Sequence, residues 1–261
     1  MGKLQLLLTL IILMVLTSSG YAKTLGNFKS YKQITDKEIL IETTNGSKIL
    51  VSAYNQYAIG ISAFSANETV PLTSPNSINS RKDLNGSIYV EELDELMQIT
   101  TTNHDGLVIK IDKHPLRFSY INKLNANVLF EELSSVKFGN KNNSINLTIE
   151  ENEELKLVSN KNHKANVQSI QQGDLITIKK ESEITQSAND VCLISSKGYA
   201  IVFEYKVEHE INYLKSDKIK ISAIGNATCF NYLLIYGPQQ PELIDKYAFH
   251  TDTNDNQISL K

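Results

Sequence analysis

Val191-Cys-Leu-Ile-Ser-Ser-Lys-Gly-Tyr-Ala-Ile-Val-Phe-Glu204 holds two short apolar runs, Val191 to Ile194 and Tyr199 to Phe203, separated by Ser195-Ser196-Lys197-Gly198. Runs rich in β-branched and aromatic residues suit a pleated, half-buried strand, and the Ser/Lys/Gly break is turn chemistry. Gly198 carries no Cβ to oppose a positive φ, so it is the expected pivot of a β-hairpin.

The same pattern repeats on either side. Glu38 to Thr44 leads into Asn45-Gly46, a strong hairpin dipeptide, and Lys48 to Tyr54 returns; Tyr57 to Phe64 completes a three-strand meander. Ile88-Tyr-Val90 and Leu96 to Thr100 flank an Asp94-Glu95 turn. Leu107 to Asp112, the bend at His114-Pro115, and Leu116 to Ile121 follow, with Leu116, Phe118 and Tyr120 alternating onto one face. Val128 to Glu131, Ser144 to Ile149, Asp174 to Lys179, Lys218 to Ile224 and Phe230 to Tyr236 read as further strands. Glu68 to Asn85, with two prolines and many Ser and Asn, reads as a surface loop. Many strands with evenly spaced turns and no alternation with helices predict an all-β, antiparallel, two-sheet sandwich. One helix is expected at the end, from Pro241, with Glu242 beside its N-terminus and Leu243, Ile244 and Tyr247 on one face.

The chain has 261 residues, with 26 Lys+Arg against 29 Asp+Glu. A net charge of -3 provides no basic field for nucleic acid or an anionic membrane. Lys3, the apolar run Leu4 to Leu16 and small residues up to Ala22 read as a secretory signal peptide. The run is shorter than the roughly 20 residues a membrane-spanning helix needs. The expected organisation is a signal peptide over 1–22, a sandwich over 23–240, and a helix with a polar tail over 241–261. The expected location is secreted or periplasmic, with no membrane contact after cleavage. Six N-x-S/T sequons, starting at Asn45, Asn67, Asn85, Asn142, Asn146 and Asn226, matter only where exported proteins are glycosylated. Cys192 and Cys229 are the only cysteines, and in an exported chain they are a candidate disulfide. Two buried thiols are the competing reading, since both lie in apolar strand-like contexts. No Cys/His spacing suits zinc, and no Gly-rich phosphate loop or Ser/His/Asp order is present, so neither metal nor cofactor is expected. Trp is absent, so any sugar platform would use Tyr or Phe faces.

Four segments, in order, resemble the N-terminal domain of glycoside hydrolase family 31, the α-glucosidase and α-xylosidase family. Asp112 to Tyr120 resembles its "DKxPxRxSF" strand, and Asn127-Val-Leu129 with the turn before it resembles "DGxxL". Ser195-Ser-Lys-Gly-Tyr199 resembles "SSKGYG". Asn231 to Pro238 with Pro241 to Tyr247 resembles "DYYFIYGPxPKEVIxxY", the most specific of the four. The resemblance implies a supersandwich like that of galactose mutarotase. In the family this domain packs on a (β/α)8 barrel that carries the two catalytic carboxylates for retaining hydrolysis. The barrel would begin where this sequence stops, so no catalytic residue is carried over, and sugar-binding residues stay unassigned. Leu155 to Lys164 lies where the family has a Tyr-Gly-Leu-Gly loop, and it lacks both glycines and the aromatic.

An epimerase-like site would need His163, His209 and Glu204 to converge as acid and base. His209, between Glu208 and Glu210, reads instead as a solvated strand-end residue. Glu151-Asn-Glu-Glu154 and Glu91-Glu92 read as solvated faces rather than calcium sites. The expected function is a secreted, non-catalytic, carbohydrate-associated sandwich that binds sugar weakly or docks a partner. The alternatives are one half of a split α-glycosidase completed by a separate barrel chain, and a surface-interaction protein with no sugar role.

Overall fold

The computed structural model describes residues 23–55, 57–66, 68–70, 87–101, 106–161, 164–178, 191–203, 207–215, 217–225 and 229–237. The expected signal peptide, most of the loop before Asn85 and the helix from Pro241 lie outside the described residues. Among those described, nineteen strands form. The first five are β1 (Lys23–Thr24), β2 (Phe28–Gln33), β3 (Glu38–Thr43), β4 (Lys48–Asn55) and β5 (Ala58–Phe64). Then come β6 (Ile88–Glu92), β7 (Leu96–Thr101), β8 (Leu107–Lys113), β9 (Leu116–Asn122), β10 (Val128–Phe138) and β11 (Asn142–Thr148). The rest are β12 (Leu155–Lys161), β13 (Lys164–Ile170), β14 (Leu175–Ile178), β15 (Val191–Ser195), β16 (Tyr199–Phe203), β17 (Glu208–Lys215), β18 (Lys218–Ile224) and β19 (Cys229–Tyr236).

All pairings are antiparallel and fall into two sheets. The ten-stranded sheet runs β14-β17-β18-β11-β10-β9-β8-β7-β6, with β1 added on β10. The nine-stranded sheet runs β13-β12-β15-β16-β19-β5-β4-β3-β2. Local meanders build one half of each sheet. The rest is delivered by the chain from β12 onward, which crosses between sheets and joins along two long-range seams, β11 to β18 and β19 to β5. β19, the last strand, closes the nine-stranded sheet by entering between β5 and β16.

Alternation decides which side chains enter the sandwich. On β3, β7 and β17 every second residue is buried and its neighbours are half-buried, the pattern of a strand with one core face. Ile39, Ile109, Ile201, Leu234 and their neighbours fill the space between the sheets. Aromatic rings span it: Phe130 on β10 meets Tyr199 on β16 at a centroid distance of 4.9 Å, and Tyr120 stacks on Phe130 at 4.4 Å. Such rings bury about 150–250 Å² each, so this layer carries much of the apolar contact between the sheets.

The expected hairpin at the opening stretch forms as read, with Gly198 at φ +83. The hairpin at Asn45-Gly46 forms as well, joining β3 to β4. Gly46 donates its amide to Thr43 O at 3.0 Å and takes a positive φ of +84, so the turn spans Thr43–Gly46. Within the stretch matched by resemblance to a loop, Leu155–Lys161 is strand β12 and Lys164 opens β13, and the two strands pair antiparallel.

The candidate disulfide is not formed; the structure holds Cys192 and Cys229 as thiols. Cys192 is level with Val202, and Val202 with Leu233, four residues along β19 from Cys229. Two strand spacings alone separate them by about 10 Å, beyond the roughly 7 Å Cα limit for a bridge. Asn231 instead donates its Nδ2 to Cys229 Sγ at 3.3 Å.

Candidate functional site

Two buried carboxylates organise the polar groups inside the sandwich. Glu132 follows Phe130 by two residues on β10, so the pleat turns it inward with that ring. Its Oε2 accepts the Phe118 amide at 3.2 Å, and its Oε1 accepts the Tyr232 hydroxyl at 3.3 Å. Tyr232 in turn shares a short hydrogen bond with Tyr120 across the sheets. Beside them, Asn122 Nδ2 donates to the Tyr236 hydroxyl at 2.7 Å. Burial pushes the Glu132 acid up to about 8, against the opposing pull of the Phe118 amide, Tyr232 and Arg117. The same burial raises Tyr120 and Tyr232 well above the usual phenol.

Glu153 sits in the turn after β11. Its Oε1 accepts Ser195 Oγ at 2.5 Å and the Tyr199 hydroxyl, and its Oε2 accepts the Glu150 amide at 3.0 Å. Four residues of the segment, Ser195, Ser196, Lys197 and Tyr199, are engaged with this turn, and Gly198 shapes the hairpin between them. Ser195 Oγ also accepts the Lys197 amide, Ser196 Oγ accepts the Glu154 amide, and Lys197 pairs with Glu150. The motif that suggested the family therefore does structural work at each position. The expectation of a solvated acidic face holds for Glu151 and Glu154, which are exposed, and fails for Glu153, which is buried.

A general acid or base must reach its substrate, and these two carboxylates face only the interior. His209, expected at a solvated strand end, is instead 3% exposed on the inner face of β17. Its ring lies 5.4 Å from that of Phe203, and burial lowers its pKa to about 4, so it stays neutral at physiological pH. His163 and Glu204 lie outside the described residues. Glu91 and Glu92 are exposed, and Lys113 Nζ pairs with Glu92 at 2.9 Å. Among the described residues no cluster of His, Cys, Asp and Glu suits a metal ion.

The outer face of the ten-stranded sheet offers a different chemistry at β6. Tyr89 is 65% exposed, the one aromatic among the exposed large apolar side chains of the described residues. It stands level with Thr100, Glu91 with Gln98, and Gln98 with Lys110 on β8. Gln98 Nε2 donates to Thr100 Oγ1 at 3.4 Å. An exposed phenol ring on this edge strand, level with Thr100 and two residues from Glu91, offers a stacking face with polar groups on the neighbouring register positions. The sequence signal was available: Ile88-Tyr-Val90 alternates, and an inward Ile88 puts Tyr89 outward.

No protein-family model matches the sequence, and no curated protein matches it. Solved structures do match its fold. A family 31 dextranase from Flavobacterium johnsoniae, complexed with glucose, superposes with a TM-score of 0.70 at 19% identity; the match covers 88% of this chain and 28% of that one. The cycloalternan-forming enzyme of Listeria monocytogenes, with a pentasaccharide substrate, gives 0.64 at 16%, covering 88% and 22%. A family 31 α-xylosidase from a soil metagenome, with xylose, gives 0.62 at 14%, covering 84% and 34%. The chain thus spans about a third or less of the length of these enzymes. Its described strands have the two-sheet fold found within family 31 glycoside hydrolases, the fold that the four sequence segments implied.

Proposed function

We propose that the chain is a non-catalytic, carbohydrate-associated sandwich that holds an α-linked glycan weakly against Tyr89. The observation that carries this reading is the fold match, which takes in 88% of this chain and 28% of the dextranase. The inward-facing Glu132 and Glu153 support it, because both are engaged in joining elements of the fold. Tyr89 with Gln98, Thr100 and Glu91 supplies the surface. The segment 1–22 directs export in this reading, 23–240 is the functional sandwich, and the purified mature chain begins at Lys23.

The test uses the chain with isomaltotriose, the pentasaccharide substrate of the cycloalternan-forming enzyme, and xylose. A ligand at 100 times its Kd stabilises by about 2.7 kcal/mol, so even weak binding raises Tm at high sugar concentration. Tyr89→Ala abolishes that rise while leaving the sugar-free Tm unchanged, since the ring is mostly in water. Release of glucose or xylose by the chain alone overturns the non-catalytic reading. No Tm response to any of the three sugars overturns the carbohydrate reading and favours a surface-interaction role. A second reading makes the chain one half of a split α-glycosidase. Co-purification of a barrel chain with α-glycosidase activity would establish it.

A further inference from the structure

The outer face of the ten-stranded sheet carries an ordered rank of charge. Pairing sets seven outward positions level across seven consecutive strands, from β6 to β18. Every second position is charged: Glu91 on β6, Lys110 on β8, Glu131 on β10 and Lys218 on β18. The positions between are neutral and polar: Gln98 on β7, Ser119 on β9 and Thr148 on β11. Glu91, Lys110 and Glu131 are exposed, and Lys218 is half-buried. From one charge to the next the sign alternates: acid, base, acid, base. Opposite charges that stabilise a sheet from within stand on adjacent strands, with Cβ atoms about 4.5–5.5 Å apart. Here a neutral residue intervenes each time, so two strand spacings hold neighbouring charges about 10 Å apart. Among the described residues no two of these four form an ion pair, and Lys218 lies 3.9 Å from Asp217 instead. The alternation serves no pairing within the chain.

We propose that this face is the contact between two copies of the chain, related by a two-fold axis that runs along β9. Rotation about an axis parallel to the strands reverses the rank and leaves every position at its own height. Glu91 then faces Lys218 of the second copy, and Lys110 faces Glu131. Gln98 meets Thr148, and Ser119 meets its own copy on the axis, so the neutral positions also bring donors to acceptors. Each charge contact occurs twice, as a self-complementary interface requires. A two-fold axis along the rank would instead set Glu91 on Glu91 and Lys110 on Lys110, so charge selects the first arrangement. Two sheets of one twist pack face to face with strands within about 30° of alignment, which keeps the two ranks in register. Arg117, also on β9, lies near the axis, but Asp112 holds it at 2.8 Å, so the copies meet there as neutral pairs. A net charge of -3 adds little general repulsion between copies. Exposed ion pairs contribute little each and are screened by salt, so the dimer is weak and salt-sensitive. This contact goes beyond the sugar reading and does not depend on it.

Sedimentation velocity of the purified chain over a range of concentrations reads the association. The expected result is a dimer at low salt that dissociates in about 1 M NaCl, where the screening length is about 3 Å. Lys110→Glu sets like charges against each other at two places in the interface and weakens the dimer on the order of tenfold or more, and Glu131→Lys does the same. The double variant Lys110→Glu/Glu131→Lys restores it, because the two altered residues face each other across the axis. An equal mixture of the two single variants also restores it, as a heterodimer in which both altered contacts are again acid against base. That last readout arises only between chains. Should either single variant not fold, Glu91→Lys and Lys218→Glu give the same set of readings at the ends of the rank. A chain that stays monomeric at every concentration in low salt overturns the proposal. So does a dimer that neither single variant weakens, or one that neither the double variant nor the mixture restores.

Discussion

A hydroxyl wedged between two sheets costs free energy unless both of its neighbours are satisfied. Tyr232 lies between the Glu132 carboxyl and the Tyr120 hydroxyl, so its oxygen links partners on β10 and β9. Tyr232→Phe keeps the ring and its contacts with Tyr120 and Phe230, and deletes only that link. It leaves one oxygen on Glu132 and one on Tyr120 short of a partner, a loss of about 1–3 kcal/mol, read as a lower urea midpoint with unchanged m. Gly198 presents a backbone case. At φ +83 any Cβ meets the following carbonyl, so Gly198→Ala costs about 1–2 kcal/mol, and Gly198→Asn, which tolerates this region better, costs less. Chemical denaturation of the two variants side by side checks the order.

The hairpin β15–β16 and the turn of residues 149–154 form one element of stability, although more than forty residues separate them in sequence. Glu153 holds them by accepting from Ser195 Oγ and the Tyr199 hydroxyl. Glu153→Ala leaves two buried hydroxyls without that acceptor and costs about 2–4 kcal/mol. Amide exchange at Lys197 and Gly198 should accelerate before the centre of β16 responds; uniform acceleration along β16 would show that the turn and hairpin are not a local unit. The hairpin itself was legible in the sequence, because apolar runs around Ser-Ser-Lys-Gly need no distant partner to be recognised. β2 and β17 were not read as strands. Phe28–Gln33 is largely polar because it is an edge strand, and Glu208–Lys215 hides its buried His209 among charges. Glu132, in a strand, and Glu153, in a turn, were missed for a related reason: a carboxylate in either setting reads as a water-facing residue until distant parts of the chain supply its donors.

At the scale of the molecule, the sequence shows strands and their faces but not the seams. Pairing of β5 with β19 and of β11 with β18 joins residues seventy or more positions apart, and nothing local encodes that choice. The inter-sheet acid gives a whole-molecule test. Unfolded, a glutamic acid ionises near 4.5; in the sandwich Glu132 does so at about 8, because burial disfavours its charge. Between those values the folded chain keeps a proton that the unfolded chain has lost. Stability from this group is therefore fully present below pH 4.5 and falls as pH rises through 8. His209 acts in the opposite sense and in another window. Its folded pKa of about 4 lies below the usual 6.5, so it removes stability only as pH falls from 6.5 towards 4. From pH 6.5 upward Glu132 acts without it, and the unaltered chain should lose roughly 2 kcal/mol between pH 6.5 and 8 from this acid alone. Glu132→Gln imitates the neutral acid: its oxygen can accept the Phe118 amide and its nitrogen can donate to Tyr232. It should leave stability at pH 5 little changed and flatten the decline above 6.5. Urea midpoints of both proteins at pH 5, 6.5, 8 and 9 decide the matter. Parallel curves would mean that Glu132 is charged in the folded state at neutral pH, and that the two sheets are held there by an ion rather than by a neutral acid.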